Sequence, residues 1–345
     1  MSLKVGIVGL PDVSRIGKKK VVVSEARGKT ILAGEHIVVY GYPALLLPLN
    51  LKVKCKLSEF EDGIANGKVV VLALGEKSEF SWKEIDKFYL NRTQHPNFKL
   101  QLVLASLKTS FDYFGIKKRP GFKLKLDSSI PIGGFGSSTA VSAAIVKCVA
   151  KLVNKNISQL KLWRLLIQIE GLCGAKVSGA DQYVISYESF VRYQKNFHPE
   201  KIKLNSKILK NFLIIQSGAP YCTTKECIDF IAQQKRSNPG KIKGIFLRLA
   251  EEGKKMLVYL KKDDPLGFFK TIRNSGELLI SLGVVSPDSV NLIRKIEKLG
   301  GYLKLTGSGT IGNGGSGGIL CFSNNYKKIE SFLLKNHLGY LKVSI

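Results

Sequence analysis

Residues Ile130 to Ala140 read I-P-I-G-G-F-G-S-S-T-A, with Gly133, Gly134 and Gly136 ahead of Ser137, Ser138 and Thr139 and a long apolar run behind them. That spacing suits the binding of a phosphate. Glycine lets the backbone approach an anion closely, and the first turn of a helix offers unpaired N–H groups at the positive end of its dipole. Ser137 and Ser138 could cap that helix or offer a hydroxyl to magnesium. Taken alone, the segment is equally compatible with an ordinary glycine-rich turn between a strand and a helix.

The elements around it fit the first alternative. Phe122, Leu124 and Leu126 alternate with Lys123, Lys125 and Asp127, the period of a half-buried strand that feeds the loop. Helical periodicity follows over about 139–154 and 157–173, and a polar turn at 174–179 then delivers Asp181. Upstream, strands are expected at 21–23, 37–40, 51–57 and 68–74, followed by a helical stretch over 83–114 interrupted near Pro96. Downstream the pattern turns more helical, with a strand at 212–216, helices near 225–235, 241–261, 265–282 and 287–299, strands at 302–306 and 318–322, a helix at 326–336 and a last strand. The expected class is α+β with two units, 21–190 and 191–345, behind an extension or extra strand over 1–20, and ligand chemistry in the cleft between the units.

Composition excludes several other roles. The net charge of +28 is carried by 44 lysines against 10 arginines, scattered over every segment. A nucleic-acid reader concentrates arginine and aromatics on one face, so no nucleic-acid partner is expected; a diffuse basic surface still steers small anions toward the protein. The six cysteines form no C-x-x-C pair and the four histidines lie far apart, which fits reduced thiols in a cytoplasmic protein and no zinc site. No apolar stretch approaches the ~18 residues needed to cross a bilayer, so no membrane partner is expected either. The opening M-S-L-K-V-G-I-V-G-L-P-D has the look of a nucleotide-binding strand and turn, but Ser14, Arg15 and Ile16 stand where that motif needs Gly, Lys and Ser or Thr.

Three segments together resemble the motifs of the GHMP kinase superfamily, and among its branches the mevalonate kinases: G-K-T-I-L-A-G-E-H-I-V-V-Y-G-Y-P from Gly28, the glycine loop, and K-L-T-G-S-G from Lys304. Order and spacing agree from Val21 onward. The resemblance implies a ribosomal S5 domain 2-like first unit, a ferredoxin-like second unit and ATP-dependent phosphorylation of the primary hydroxyl of mevalonate. By its motifs Asp181 would accept the proton of the substrate hydroxyl, and Lys29 would stabilise both Asp181 and the attacking oxygen. Ser138 and Glu170 would hold Mg2+, the eleven-residue step from Glu170 to Asp181 matching the family's. Pro131, Gly133, Gly134, Gly136, Ser137, Ser138, Thr139, Gly307 and Gly309 would surround ATP, while Glu35, His36, Tyr187, Thr223 and Thr224 would contact the substrate. The sequence leaves a homodimer open.

Departures from the pattern are local. Arg27 replaces the usual proline before Gly28, C-G-A-K-V-S-G-A-D replaces the usual approach to the aspartate, and the third motif expands to G-S-G-T-I-G-N-G-G-S-G-G over 307–318. The expansion could distort the loop beside the phosphates or bulge into solvent. Kinase chemistry on another small alcohol, phosphomevalonate or a sugar included, and a non-catalytic nucleotide-binding role are the alternatives that follow.

Overall fold

The computed structural model of the chain describes residues 20–60, 67–73, 75–90, 97–117, 119–131, 133–174, 177–204 and 206–344. The expected N-terminal extension, apart from residue 20, and the break at Pro96 lie outside them.

Two long antiparallel strands, β1 (Val21–Ala33) and β2 (Ala44–Glu59), form the spine of a seven-stranded sheet. In β2, Val53, Cys55 and Leu57 are buried while Lys52, Lys54 and Lys56 are exposed, the alternation of a strand with one wet face. Its first half, A-L-L-L-P-L, is buried throughout. Beyond β2 the order is β5 (Phe122–Ser128), β3 (Lys68–Ala73) and β4 (Glu76–Ser81), with β6 (Val191–Tyr193) and β7 (Glu200–Lys201) on its other end. The first sheet therefore runs past residue 190. Helices α1 (Trp82–Leu90), α2 (Phe98–Tyr113), α3 (Ser137–Leu152), α4 (Gln159–Leu172) and α5 (Ala180–Tyr187) complete this half, with α3 packed on both β1 and β2.

The expected strand at 37–40 is instead a 3-10 turn, Val38–Tyr40. Gly34, His36 and Gly41 all have positive φ (99°, 63° and 87°), which no strand can accommodate in succession. The tight return brings Gly34 so close to β2 that a Cβ there would lie 2.5 Å from the Ala44 Cα.

The second half has the order β-α-β-β-α-β. Strand β8 (Phe212–Gln216) leads through α6 (Thr224–Ser237), α7 (Pro239–Lys262), α8 (Pro265–Ser281) and α9 (Pro287–Glu297) to β9 (Tyr302–Leu305) and β10 (Gly318–Phe322), and α10 (Tyr326–Lys335) precedes β11 (Tyr340–Val343). The sheet order β11-β8-β10-β9, all antiparallel, is the split βαβ arrangement of ferredoxin-like folds. One apolar cluster is continuous between the halves, joining Leu32, Leu46 and Val191 to Phe212, Met256, Phe268 and Phe322.

Candidate active site

The site lies where β1 ends, β5 gives way to α3, and β9 meets both. Strand β1 carries two register shifts, between Arg27 and Lys29 and between Ile31 and Ala33. Such irregularities re-aim side chains next to functional sites. Here Lys29, its side chain 3% exposed, points under the glycine loop: its backbone N–H donates to the Phe135 carbonyl at 2.9 Å and its Nζ to the Gly134 carbonyl at 3.1 Å. The same Nζ is 3.0 Å from Asp181 Oδ1.

The loop is built as an anion cradle. Gly133, Gly134 and Gly136 have φ of 94°, 81° and 69°, and α3 begins after Gly136 with no side-chain cap on its first amides. Those N–H groups stay free for a ligand. Gly136 also needs its missing side chain, because a Cβ would lie 2.9 Å from Lys29 Cγ.

Asp181 stands in the first turn of α5, whose N-cap is Gly179 at φ 88°. A helix that the sequence reading did not foresee begins right after the expected turn at 174–179, entered through the left-handed Gly179. Beside it, Glu170 near the end of α4 accepts hydrogen bonds from the Thr139 hydroxyl and from Gln182 Nε2, the latter at 2.8 Å. Burial pushes the Glu170 carboxyl up; these two hydrogen bonds oppose the shift and the neighbouring Asp181 charge adds to it.

A cavity of about 1070 Å³ joins these groups. Lys29, His36, Ser138, Glu170, Asp181 and Gly134 line its polar end, and Val38, Leu46, Val53 and Leu102 its apolar walls. His36 Nε2 and Gln182 Oε1 are buried without a hydrogen-bond partner, and both residues line the cavity. Burial drives the His36 pKa from 6.5 down to about 4, so the imidazole is neutral near pH 7.

Other expected site residues fall elsewhere. Glu35 does not line the cavity; it is buried in an ion pair with Lys304, their side chains 1% and 0% exposed. Tyr187 stacks on Tyr183 with ring centroids 4.1 Å apart and lies off the cavity. Thr223 caps α6 in a capping box with Glu226, whereas Thr224 reaches the cavity wall and donates to Ser308 Oγ at 3.2 Å. Gly307 packs on the glycine loop, where a Cβ would lie 2.7 Å from the Gly134 Cα. Gly309 faces the α8–α9 connection instead, with a Cβ position 2.0 Å from the Val284 carbonyl oxygen.

Sequence reasoning missed the fasteners. Thr306 Oγ1 is 2.9 Å from Thr30 Oγ1 and accepts from the Ile31 N–H at 3.2 Å, tying β9 to β1 beneath the site. Lys304 sits in the same K-L-T-G-S-G segment, two residues before Thr306, so the signal was present but unread. Gln182 was legible only as the neighbour of Asp181.

Comparison with known proteins agrees with this geometry. The model of the GHMP kinases N terminal domain matches residues 101–189, the span holding the glycine loop, Glu170 and Asp181. The mevalonate kinase of Methanocaldococcus jannaschii is 26% identical over 314 residues, covering 90% of this chain and 94% of that protein. Residues 101–189 thus match the GHMP kinases, and nearly the whole chain is similar to mevalonate kinases. The likeness extends to structure: the crystal structure of the Methanococcus jannaschii mevalonate kinase superposes with a TM-score of 0.79 at 25% identity, covering 96% of this chain and 99% of that one. The L. major mevalonate kinase solved with R-mevalonate shares the fold at a TM-score of 0.74 and 16% identity, covering 95% and 98%. The likeness makes this a small-molecule kinase with ATP as its co-substrate, and no helix among its described residues is long and apolar enough to cross a membrane.

Proposed function

We propose that this kinase transfers the γ-phosphoryl group of ATP to the primary hydroxyl of mevalonate, giving 5-phosphomevalonate for isoprenoid precursor synthesis in the cytoplasm. The observation that carries the reading is the pair of buried Lys29 and half-exposed Asp181, 3.0 Å apart, held directly under an anion cradle in a cavity large enough for both substrates. Phosphoryl transfer asks little covalent chemistry of the protein and much positioning and charge.

Each residue then has a task. The free amides of α3 and Gly133, Gly134 and Gly136 take the phosphates. Asp181 accepts the proton as the hydroxyl attacks, and the Lys29 ammonium faces the negative charge that develops on the oxygen. Neutral His36, with Nε2 unpaired, orients the acceptor through one hydrogen bond. The donor set suits Mg2+: Ser138 presents an exposed hydroxyl, and Glu170 keeps lone pairs beyond those that accept from Thr139 and Gln182. A bound Mg2+ would neutralise phosphate charge. The reading keeps two units with the site between them, their boundary moved from residue 190 to beyond β7, because β6 and β7 complete the first sheet.

The test is mass spectrometry of products after incubation with magnesium, ATP and mevalonate, with phosphomevalonate in parallel. Conversion of mevalonate to its 5-phosphate is the expected result. Phosphorylation of phosphomevalonate alone would keep the chemistry and overturn the acceptor; transfer to neither would overturn both.

A further inference from the structure

The expanded third motif exposes its tip, residues 312–314, while its two arms are anchored. It lies on the segment 217–222: the Ser316 N–H donates to Ser217 Oγ at 2.9 Å, the Gly317 N–H to the Gly218 carbonyl at 3.1 Å, and the Tyr221 N–H to Thr310 Oγ1 at 3.0 Å. Gly315 approaches Gly218 so closely that a Cβ would lie 2.3 Å from its backbone. At the end of this seam two cysteines meet, Cys222 Sγ and Cys227 Sγ, 3.4 Å apart.

Their meeting follows from helix capping. With Thr223 as N-cap of α6, Cys222 and Cys227 occupy the two positions, one before the cap and one at the fourth helical residue, that ordinarily hold a hydrophobic staple. A staple of two thiols fixes the same entry angle and also pre-forms a dithiol. The capping box between Thr223 and Glu226 holds the turn that brings them together.

The two sulfurs are not equivalent. Cys222 is partly exposed beside Tyr221, which is 85% exposed, whereas Cys227 is buried. The Ile311 N–H donates to Cys222 Sγ at 3.1 Å and Thr310 Oγ1 lies 3.3 Å from it, both groups belonging to the expanded motif. Burial, the largest single influence, raises the Cys222 thiol, but contacts with Thr310, Ile311 and Cys227 outweigh it and leave it below its usual value. Burial pushes Cys227 up to about 12. A reachable, stabilised thiolate beside a buried partner is the arrangement of an attacking and a resolving cysteine.

We propose that Cys222 and Cys227 form a reversible redox site whose closure to a cystine throttles the adjoining kinase site. The oxidant is a low-molecular-weight disulfide. The Cys222 thiolate attacks it, forming a mixed disulfide as the first small thiolate leaves and takes a proton from solvent. Cys227 then gives its proton to solvent and attacks Cys222 Sγ, and the second small thiolate departs and is protonated. Two protein thiols and one small disulfide thus become one cystine and two small thiols.

Closure has a structural consequence at the site. The sulfurs must approach from 3.4 Å to about 2.05 Å. That shift acts on Thr224, which lines the cavity, and on Thr310 and Gly309, whose carbonyl accepts from Cys227 Sγ at 3.7 Å. A displacement on the order of 1 Å near a reacting centre costs up to about 100-fold in rate.

The intact protein is incubated in oxidised or reduced glutathione, its free thiols are alkylated, and it is cut with trypsin. Lys225 lies between the two cysteines, so a cystine leaves two tryptic peptides linked. Expected are the linked peptides in oxidised protein, a fall in turnover of about tenfold, and recovery with dithiothreitol. Cys222→Ser should give no linkage and keep its turnover in the oxidant. Cys227→Ser should hold glutathione on Cys222, while the buried Cys55, Cys173 and Cys321 stay alkylatable only after unfolding. Free thiols at both positions in the oxidised sample would overturn the proposal. So would a cystine that leaves turnover unchanged.

Discussion

Replacing Lys304 by methionine removes the cation from a pair whose side chains are 0% and 1% exposed and leaves the Glu35 carboxylate buried without its partner. An exposed pair would cost about 0–1 kcal/mol. Breaking a buried pair from one side costs about 3–5 kcal/mol, because the remaining charge has lost its hydration without compensation. Lys304 also donates to the Leu305 carbonyl at 2.8 Å, so the upper half of that range applies. The double variant Lys304→Met, Glu35→Gln carries no bare charge and should recover at least about 2 kcal/mol relative to the sum of the single losses. The pH dependence has a definite sign. Burial already holds the Glu35 carboxyl above its ordinary 4.5, against the opposing pull of Lys304. Without Lys304 it rises further, so the folded state binds that proton more tightly than the unfolded one. Stability in the single variant is then greatest below about 4.5 and falls as pH rises through the raised value. Urea unfolding of all four proteins at pH 5 and pH 8 measures this, with the larger defect expected at pH 8. A Lys304→Met loss below about 1 kcal/mol, or strictly additive losses, would refute the reasoning.

Asp181→Asn should lower turnover by about 10²- to 10⁴-fold while calorimetry finds ATP affinity unchanged; activity within a few-fold of the parent would remove Asp181 as the base. Gly307→Ala places a Cβ 2.7 Å from the Gly134 Cα at φ 89° and should weaken ATP binding and cost about 1–3 kcal/mol of stability. Gly312→Ala, with φ 81° but open space around it, should pay only backbone strain and bind ATP normally, and equal ATP affinities in the two variants would contradict the packing argument. Because His36 is held near pH 4 against 6.5 unfolded, it contributes about 3 kcal/mol of stability above pH 6.5 that is lost as pH falls toward 4. His36→Asn, which tolerates the positive φ, should lack that slope in acid unfolding, and an unchanged slope would assign it to another group.

The elements that carry chemistry were the most legible in the sequence. Glycines that need positive φ, a strand that feeds them and an apolar helix behind them all leave compositional marks, so Gly133, Gly134, Gly136 and the start of α3 could be read directly. The ferredoxin-like half was legible for the same reason, its helices opening on Pro239, Pro265 and Pro287. What escaped was set by tertiary partners. Strand β4, E-K-S-E-F-S, is too polar to announce itself and exists because β3 pairs with it at the sheet edge. Residues 37–40 have the composition of a strand, but flanking positive-φ positions turn them into a 3-10 turn. Glu35 carried a substrate role by its motif; its contact, Lys304, is 269 residues away, and nothing local could reveal it. The fate of the expanded glycine motif depended likewise on Ser217 and Gly218.

The fastening of β9 beneath β1 bears on how this protein can be rearranged. A cut between β7 and β8 would leave Glu35 on one fragment and Lys304 on the other, each without its partner, and would divide the apolar cluster that the halves share. The halves are thus not interchangeable modules. A chimera joining the first half to the second half of a relative would have to bring matching residues at 35 and 304, and at 30 and 306, or inherit two buried mismatches at the floor of its own catalytic cleft.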